Sequence, residues 1–276
     1  MSSSSRIHPT AIVHPSAKIA GNVTIGPYAI IYAGAQIAEG TTIGPHAVIE
    51  NATIGEGCEI HASAFVGTAP QDMKHDGEEN TRLILGTNCV VRECVTLNSG
   101  TLKDGGQGVT TIGNNCFFMA YSHVAHDCRL GNGVIMANSV ALAGHVTVGN
   151  NVVFGGNSAA HQFVRVGDLA MIGGLSGVDR DIPPFCLAQG NHCELVGLNS
   201  VGLRRNGLTR EAMADIKKAY KALFLSQIPL TEAIEELEKS TASTPSVQLL
   251  LGFLKSPSKR GITRPRKKTQ DALDPA

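Results

Sequence analysis

The chain has no tryptophan, and aromatic residues make up only 4% of its 276 positions. Globular cores ordinarily use aromatic side chains freely because each buries a large area. This interior must therefore be filled by smaller aliphatic groups. Charge of one sign is also missing: 23 basic residues balance 23 acidic ones. That argues against a nucleic-acid-binding domain, which carries a basic surplus. No apolar run approaches the roughly 18 residues of a membrane span, and Met1-Ser-Ser-Ser-Ser-Arg6 lacks the apolar core of a signal peptide. Seven cysteines, an odd number without a CxxC pair, do not indicate a disulfide framework. A reduced, cytoplasmic protein is expected.

Glycine is plentiful, at 31 residues, and it falls in a pattern. Stepping by six from Ile7 gives Val13, Ile19, Ile25, Ile31, Ile37, Ile43 and Ile49, all β-branched. One step of five leads to Ile54, then Ile60 and Val66. The period resumes at Leu85, Val91 and Leu97, and again at Ile112, running through Val124, Leu130, Leu142 and Phe154 to Val178. That makes 26 hexads. The fifth position is small or β-branched, as at Ala29, Ala47, Cys58, Cys116 and Cys128, and glycine often takes the second. A helical period of 3.6 does not fit a repeat of six, whereas a parallel β-helix does. Each hexad is a short strand plus a corner, and three close a triangular coil of 18. The first and fifth positions point inward, which accounts for the missing tryptophan.

Two interruptions, near 67–83 and 98–110, eject loops from this column. Rigid scaffolds often carry function on such loops. After Asp181-Ile-Pro-Pro184 the period stops and helical spacing begins. Thr209 is the expected N-cap of a helix ended by Pro229, and two more helices are expected over 231–239 and 246–254. The domain organisation read here is a β-helix over 1–190, a helical domain over 191–256, and a flexible basic tail over 257–276 containing Arg264-Pro-Arg-Lys-Lys268.

Four of the ten histidines lie between 123 and 161, none at an inward hexad position. With 18 residues per coil, His126 stacks under Gly144 and Gln162, Asp127 under His145, and Ala143 under His161. His126, Asp127, Gly144, His145, His161 and Gln162 thus form one outward patch, with His123 nearby. An imidazole oriented by a carboxylate suits a general base. A free glycine N–H beside it can stabilise an oxyanion. Together they are the minimum for attack of a hydroxyl on a thioester. Cys128 sits at an inward position, which disfavours a covalent relay. Two other readings stay open: a three-histidine zinc site of the kind found in carbonic anhydrases, and a non-enzymatic scaffold.

The hexads resemble those of the hexapeptide-repeat acyltransferases, whose helix is left-handed. The runs Ser122-His123-Val124-Ala125-His126-Asp127-Cys128, Leu142-Ala143-Gly144-His145, His161-Gln162-Phe163 and Gln189-Gly190-Asn191-His192 are similar to those of the UDP-N-acetylglucosamine acyltransferase family. The resemblance implies transfer of a 3-hydroxyacyl chain from acyl carrier protein to the sugar 3-hydroxyl, the first step of lipid A synthesis, with no cofactor or metal. It implies His126 as general base supported by Asp127, and the Gly144 amide on the thioester carbonyl. His123, His145, His161 and Gln162 would line the site. Gln71, Asp72 and Lys74 match a substrate-binding segment. His192, Asn199 and Arg205 match residues at the nucleotide end, and Gly174 matches the position that limits acyl length. A homotrimer with clefts between subunits is also implied, with the basic C-terminal domain as one possible meeting point for the carrier. Asn98-Ser99 stands where many relatives have His-Arg, and Val201 where an acidic residue is common. A 3-amino sugar acceptor and a coenzyme A donor therefore remain alternatives. The later N-acyltransferase of the same pathway carries an additional N-terminal domain, for which hexads starting at Ile7 leave no expected place.

Overall fold

A computed structural model describes residues 5–77, 80–103, 105–239 and 244–266. From Arg6 to Val178, 26 short strands follow one another, one per hexad, and all pair in parallel within three sheets. The chain visits the sheets in rotation, building a parallel β-helix of triangular section. The register advances by one coil of 18, as in Arg6↔Thr24, His123↔Ala141 and Thr147↔Arg165. The five-residue step appears as Ile37↔Ile54. We call the sheet starting with Arg6–Ile7 the first face, that starting with Ile12–Val13 the second, and that starting with Lys18–Ile19 the third.

First-position residues such as Ile25, Ile43, Val124, Leu142 and Phe154 are buried, as are fifth-position Ala29, Ala47, Cys58 and Cys116. The opening coil is the exception. Ile7 is 46% exposed, because the prism ends there and no coil lies beneath it. The corner between the third and first faces is closed by a side-chain ladder. Thr87 N donates to Asn114 Oδ1 at 2.8 Å, Asn114 N to Asn132 Oδ1 at 2.7 Å, Asn132 N to Asn150 Oδ1 at 2.9 Å, and Asn150 N to Asp168 Oδ1 at 3.0 Å. Corner amides that no strand can pair are thus satisfied by the coil above.

Beyond the hexads, Cys186–Gln189 adds a further parallel strand to the first face and Glu194–Leu198 returns antiparallel to it. The helical part therefore begins at Ser200 rather than at 191. It comprises α1 (Ser200–Arg205), α2 (Arg210–Phe224), α3 (Leu230–Lys239) and α4 (Pro245–Lys255). Thr209 caps α2 as expected, its Oγ1 accepting from Ala212 N. That helix stops at Phe224, five residues ahead of Pro229. The six-residue α1 had no counterpart in the sequence reading, because one turn and a half is too short to display a period.

The expected solvated tail requires a correction. Gly261 O accepts from Asp181 N at 2.8 Å, Thr263 N donates to Asp181 O at 2.9 Å, and Arg264 O accepts from Leu195 N at 3.1 Å. Arg260 Nε reaches Asp179 O, and Lys259 Nζ lies 4.1 Å from the centre of the Phe163 ring. Buried Asp181 also pairs with Arg165 at 2.7 Å, and the Arg165 guanidinium stacks on Phe253 of α4. These contacts fasten the C-terminal segment and α4 to the last coils. Residues 267–276 lie outside the described residues.

Candidate active site

The strand His123–Val124 lies on the second face and Arg129–Leu130 on the third; His126 and Asp127 occupy the corner between them. Both ejected loops leave at this same corner, one and two coils earlier. The first runs between the strands Phe65–Thr68 and Arg82–Leu85, the second between Thr96–Asn98 and Val109–Ile112. Gly144 and His145 sit at the corner of the next coil, and His161 and Gln162 at the one after.

The stacking inferred from the period holds. An ideal Cβ built on Gly144 would lie 2.5 Å from both Cε1 and Nε2 of His126. Only glycine allows the ring so close. No acceptor among the described residues takes the Gly144 N–H. On its other side, His126 Nδ1 lies 3.0 Å from Asp127 Oδ2. An ionised carboxylate can only accept, so Nδ1 carries the proton and Nε2 presents its lone pair beside Gly144.

The pair is less open than an outward patch implies: His126 is 6% exposed and Asp127 8%. The second loop covers them. Thr101 N donates to Asp127 Oδ2 and Gln107 N to Oδ1, each at 2.9 Å, while Asp127 N donates to Thr110 Oγ1 at 2.8 Å. Burial pushes the Asp127 carboxyl up, but bonds from His126 and the two loop amides outweigh it and hold the group below its ordinary 3.8. His123 donates to or accepts from Thr96 Oγ1 at 2.7 Å, and burial, then the neighbouring His126, push its pKa below 6.5. The His145 ring meets His126 edge-on at 5.0 Å and stacks on Phe163 at 4.6 Å. His161 and Gln162 stay exposed at the outer end of the file.

Asn98 is buried at the base of the first loop, its Nδ2 donating to Thr68 Oγ1 and Ala69 O. Lys103 of the second loop pairs with Asp76 of the first at 2.8 Å. Gln71 and Lys74 are exposed on the first loop, where Asp72 Oδ1 accepts from Lys74 N. Four anticipated residues lie elsewhere in the chain. Gly174 turns the corner between the first and second faces. His192 pairs with Asp179 in the turn before Glu194–Leu198. Asn199 caps α1, its Oδ1 accepting from Gly202 N, while its Nδ2 donates to Leu169 O. Arg205 ends α1, exposed. Thr101, Gln107 and Thr110 were not singled out in the sequence. They belong to or border a loop without a period, so no register pointed to them.

His126, Asp127 and His145 bring one ligand atom each within 4.8 Å of one another. The chemistry is poor for zinc: three N–H donors already occupy the carboxylate, and His126 Nδ1 faces it. What converges is a hydrogen-bonded acid–base pair facing a backbone amide.

Comparison with known proteins points the same way. The family model for UDP-N-acetylglucosamine O-acyltransferase domain 2 matches residues 181–263, that for bacterial transferase hexapeptide repeats 110–144, and that for the GMPPB C-terminal domain 1–105. A relative from Anaeromyxobacter sp. (strain Fw109-5), named acyl-(acyl-carrier-protein)–UDP-N-acetylglucosamine O-acyltransferase, is 49% identical over 94% of this chain and 99% of its own. One of the same name from Halorhodospira halophila is 49% identical over 94% and 99%. Among solved structures, the UDP-N-acetylglucosamine acyltransferase of Campylobacter jejuni matches with a TM-score of 0.89 at 38% identity, over 95% of this chain and all of its own. That of Francisella novicida matches with a TM-score of 0.91 at 34% identity, over 98% and 100%.

Proposed function

The chain belongs to the family of acyl-(acyl-carrier-protein)–UDP-N-acetylglucosamine O-acyltransferases, and from that premise we propose how its own residues carry the reaction. The enzyme transfers an acyl chain from acyl carrier protein to UDP-N-acetylglucosamine in lipid A synthesis. His126 Nε2 takes the proton of the sugar 3-hydroxyl as that oxygen attacks the thioester carbonyl of a 3-hydroxyacyl carrier. Asp127 holds the Nδ1–H tautomer and stabilises the imidazolium. The Gly144 N–H takes the developing oxyanion. Collapse of the tetrahedral intermediate expels the carrier thiolate, which recovers the proton from His126. The observation that carries this reading is the placement of Nε2 against Gly144, with Nδ1 on Asp127. Transfer is direct: Cys128 is wholly buried, and burial pushes its thiol up to about 12.

A homotrimer completes the cleft. Gly174, His192, Asn199 and Arg205 lie away from the His126 corner of their own chain, so they reach a cleft by way of a neighbour. Asn199 then acts by holding α1, and with it Arg205, in place. Outward residues support the association. On the first face Val90, Phe117, Ile135, Val153, Met171 and Leu187 stand in one register, an apolar stripe. The third face instead presents Lys18, Gln36, Thr53, Ile84, Thr111, Arg129, Thr147 and Arg165, polar in every outward position of this register but Ile84. Apolar outer faces mark contact surfaces. We infer cytoplasmic placement from the acyl carrier protein donor in the relatives' name; the seven cysteines are free, and no helix among the described residues is long and apolar enough to cross a membrane.

The test is mass spectrometry of the products formed when UDP-N-acetylglucosamine and its 3-amino analogue are each offered a mixture of carrier-protein and coenzyme A acyl donors. An O-linked 3-hydroxyacyl sugar nucleotide formed from carrier-protein donors supports the reading. Transfer only from coenzyme A, or only to a 3-amino sugar, would overturn it.

A further inference from the structure

We propose that the second ejected loop, in its described residues 99–103 and 105–108, and Thr110 on the strand that follows it together clamp the partner of the general base, with Gly106 and Thr110 as the positioning residues. The inference rests on His126 acting as that base and concerns what fixes its partner. Asp127 sits at a coil corner with φ +57°, where side-chain orientation is not set by strand packing. The loop supplies what the corner lacks. Thr101 N and Gln107 N approach the two carboxylate oxygens from either end of the loop, while the Thr110 hydroxyl accepts the Asp127 N–H. Every oxygen of the carboxylate is thereby spoken for, and one orientation toward His126 Nδ1 remains.

The loop is built tightly enough to act this way. Gly108 N donates to Thr101 O at 2.9 Å, and Gly106 N to Lys103 O at 2.8 Å, closing two turns over the carboxylate. A Cβ on Gly106 would fall 2.1 Å from Thr101 O and 2.9 Å from Asp127 Oδ2. A Cβ on Gly100, at the neck, would fall 2.1 Å from Val109 N. Gly106 lies at negative φ, so its glycine answers to this closeness and not to a left-handed turn. Among the described residues, the titratable groups facing the carboxylate are His126 and His145. Arg129 is taken up by Gln107 Oε1, and Lys103 by Asp76.

Gly106→Ala should displace the loop from the carboxylate and lower kcat at least tenfold, with KM for the sugar nucleotide within twofold. Withdrawing the two amides removes two of the three bonds that offset burial at Asp127. Its carboxyl then protonates at higher pH, and the acid limb of the kcat profile moves up. Thr110→Val should lower kcat similarly, whereas Thr110→Ser, which keeps the acceptor, should restore it. Leu102→Ala, an exposed change on the same loop, should stay within twofold of wild type. His126→Ala is assayed alongside. If it abolishes transfer while Gly106→Ala and Thr110→Val keep wild-type kcat and acid limb, the clamp is refuted and the base stands. If His126→Ala retains full activity, the base itself is refuted, and the clamp with it.

Discussion

Gly144 and Asp127 hold the imidazole from opposite sides, and each makes a separate prediction. A methyl group at 144 would overlap the ring edge bearing Nε2. Gly144→Ala keeps the backbone N–H but drives the imidazole away from it, and should therefore cut kcat about 100-fold or more, the scale of a lost general base. The fold should survive, because position 144 points outward; circular dichroism and kinetics on the same sample check both halves. Asp127 carries a pH prediction. Its folded pKa lies below 3.8, so its contribution to stability is fully present above that value and lost as pH falls through the lower folded one. Acid unfolding of Asp127→Asn should show a shallower pH dependence below pH 3.8 than wild type, together with a kcat loss of about 10²–10⁴-fold from the wrong tautomer. The pairing of 126 with 144 was legible in the sequence because it depends only on the coil length. The amides of residues 101 and 107 were not legible, since backbone donors leave no mark in residue type and an ejected loop has no register. Asn199 was singled out only through the family resemblance; its hold on α1 and on Leu169 O had no mark in the sequence, because both partners are backbone groups.

At the scale of the strand and corner, the hexad gives each position a distinct worth. Ile43→Ala, in a wholly stacked coil, should destabilise by about 2–5 kcal/mol through a cavity that cannot collapse. Ile7→Ala should cost far less, because the end of the prism already leaves Ile7 exposed. Asn132→Ala removes one rung of the corner ladder and should cost about 1 kcal/mol, the usual net value of a hydrogen bond. Denaturant titration separates the three. All 26 strands could be placed from the sequence, since inward and outward residues differ in kind at a fixed phase. The C-terminal segment could not. Gly261 to Arg264 attach through backbone bonds to Asp181 and Leu195, and the basic residues around them read as solvated when those partners are unseen. Lys259 likewise approaches Phe163 only because Phe163 caps the histidine file.

The whole molecule places its chemistry at the corner between the second and third faces and an apolar outer stripe on the first face, across the prism from it. On the homotrimer proposed above, Ile135→Glu, in the middle of the apolar stripe, should dissociate the assembly in sedimentation velocity and abolish transfer while the β-helix stays folded. A substitution such as Thr147→Glu on the polar third face should do neither. Retained association in the first variant would move the interface to another face. The central claim, that an imidazole held by Asp127 against Gly144 removes the acceptor's proton, is tested most directly by the pre-steady-state rate of acyl transfer in His126→Ala with both substrates saturating. The account predicts a fall of about 10²–10⁴-fold with substrate binding retained; a rate within a few-fold of wild type would contradict it.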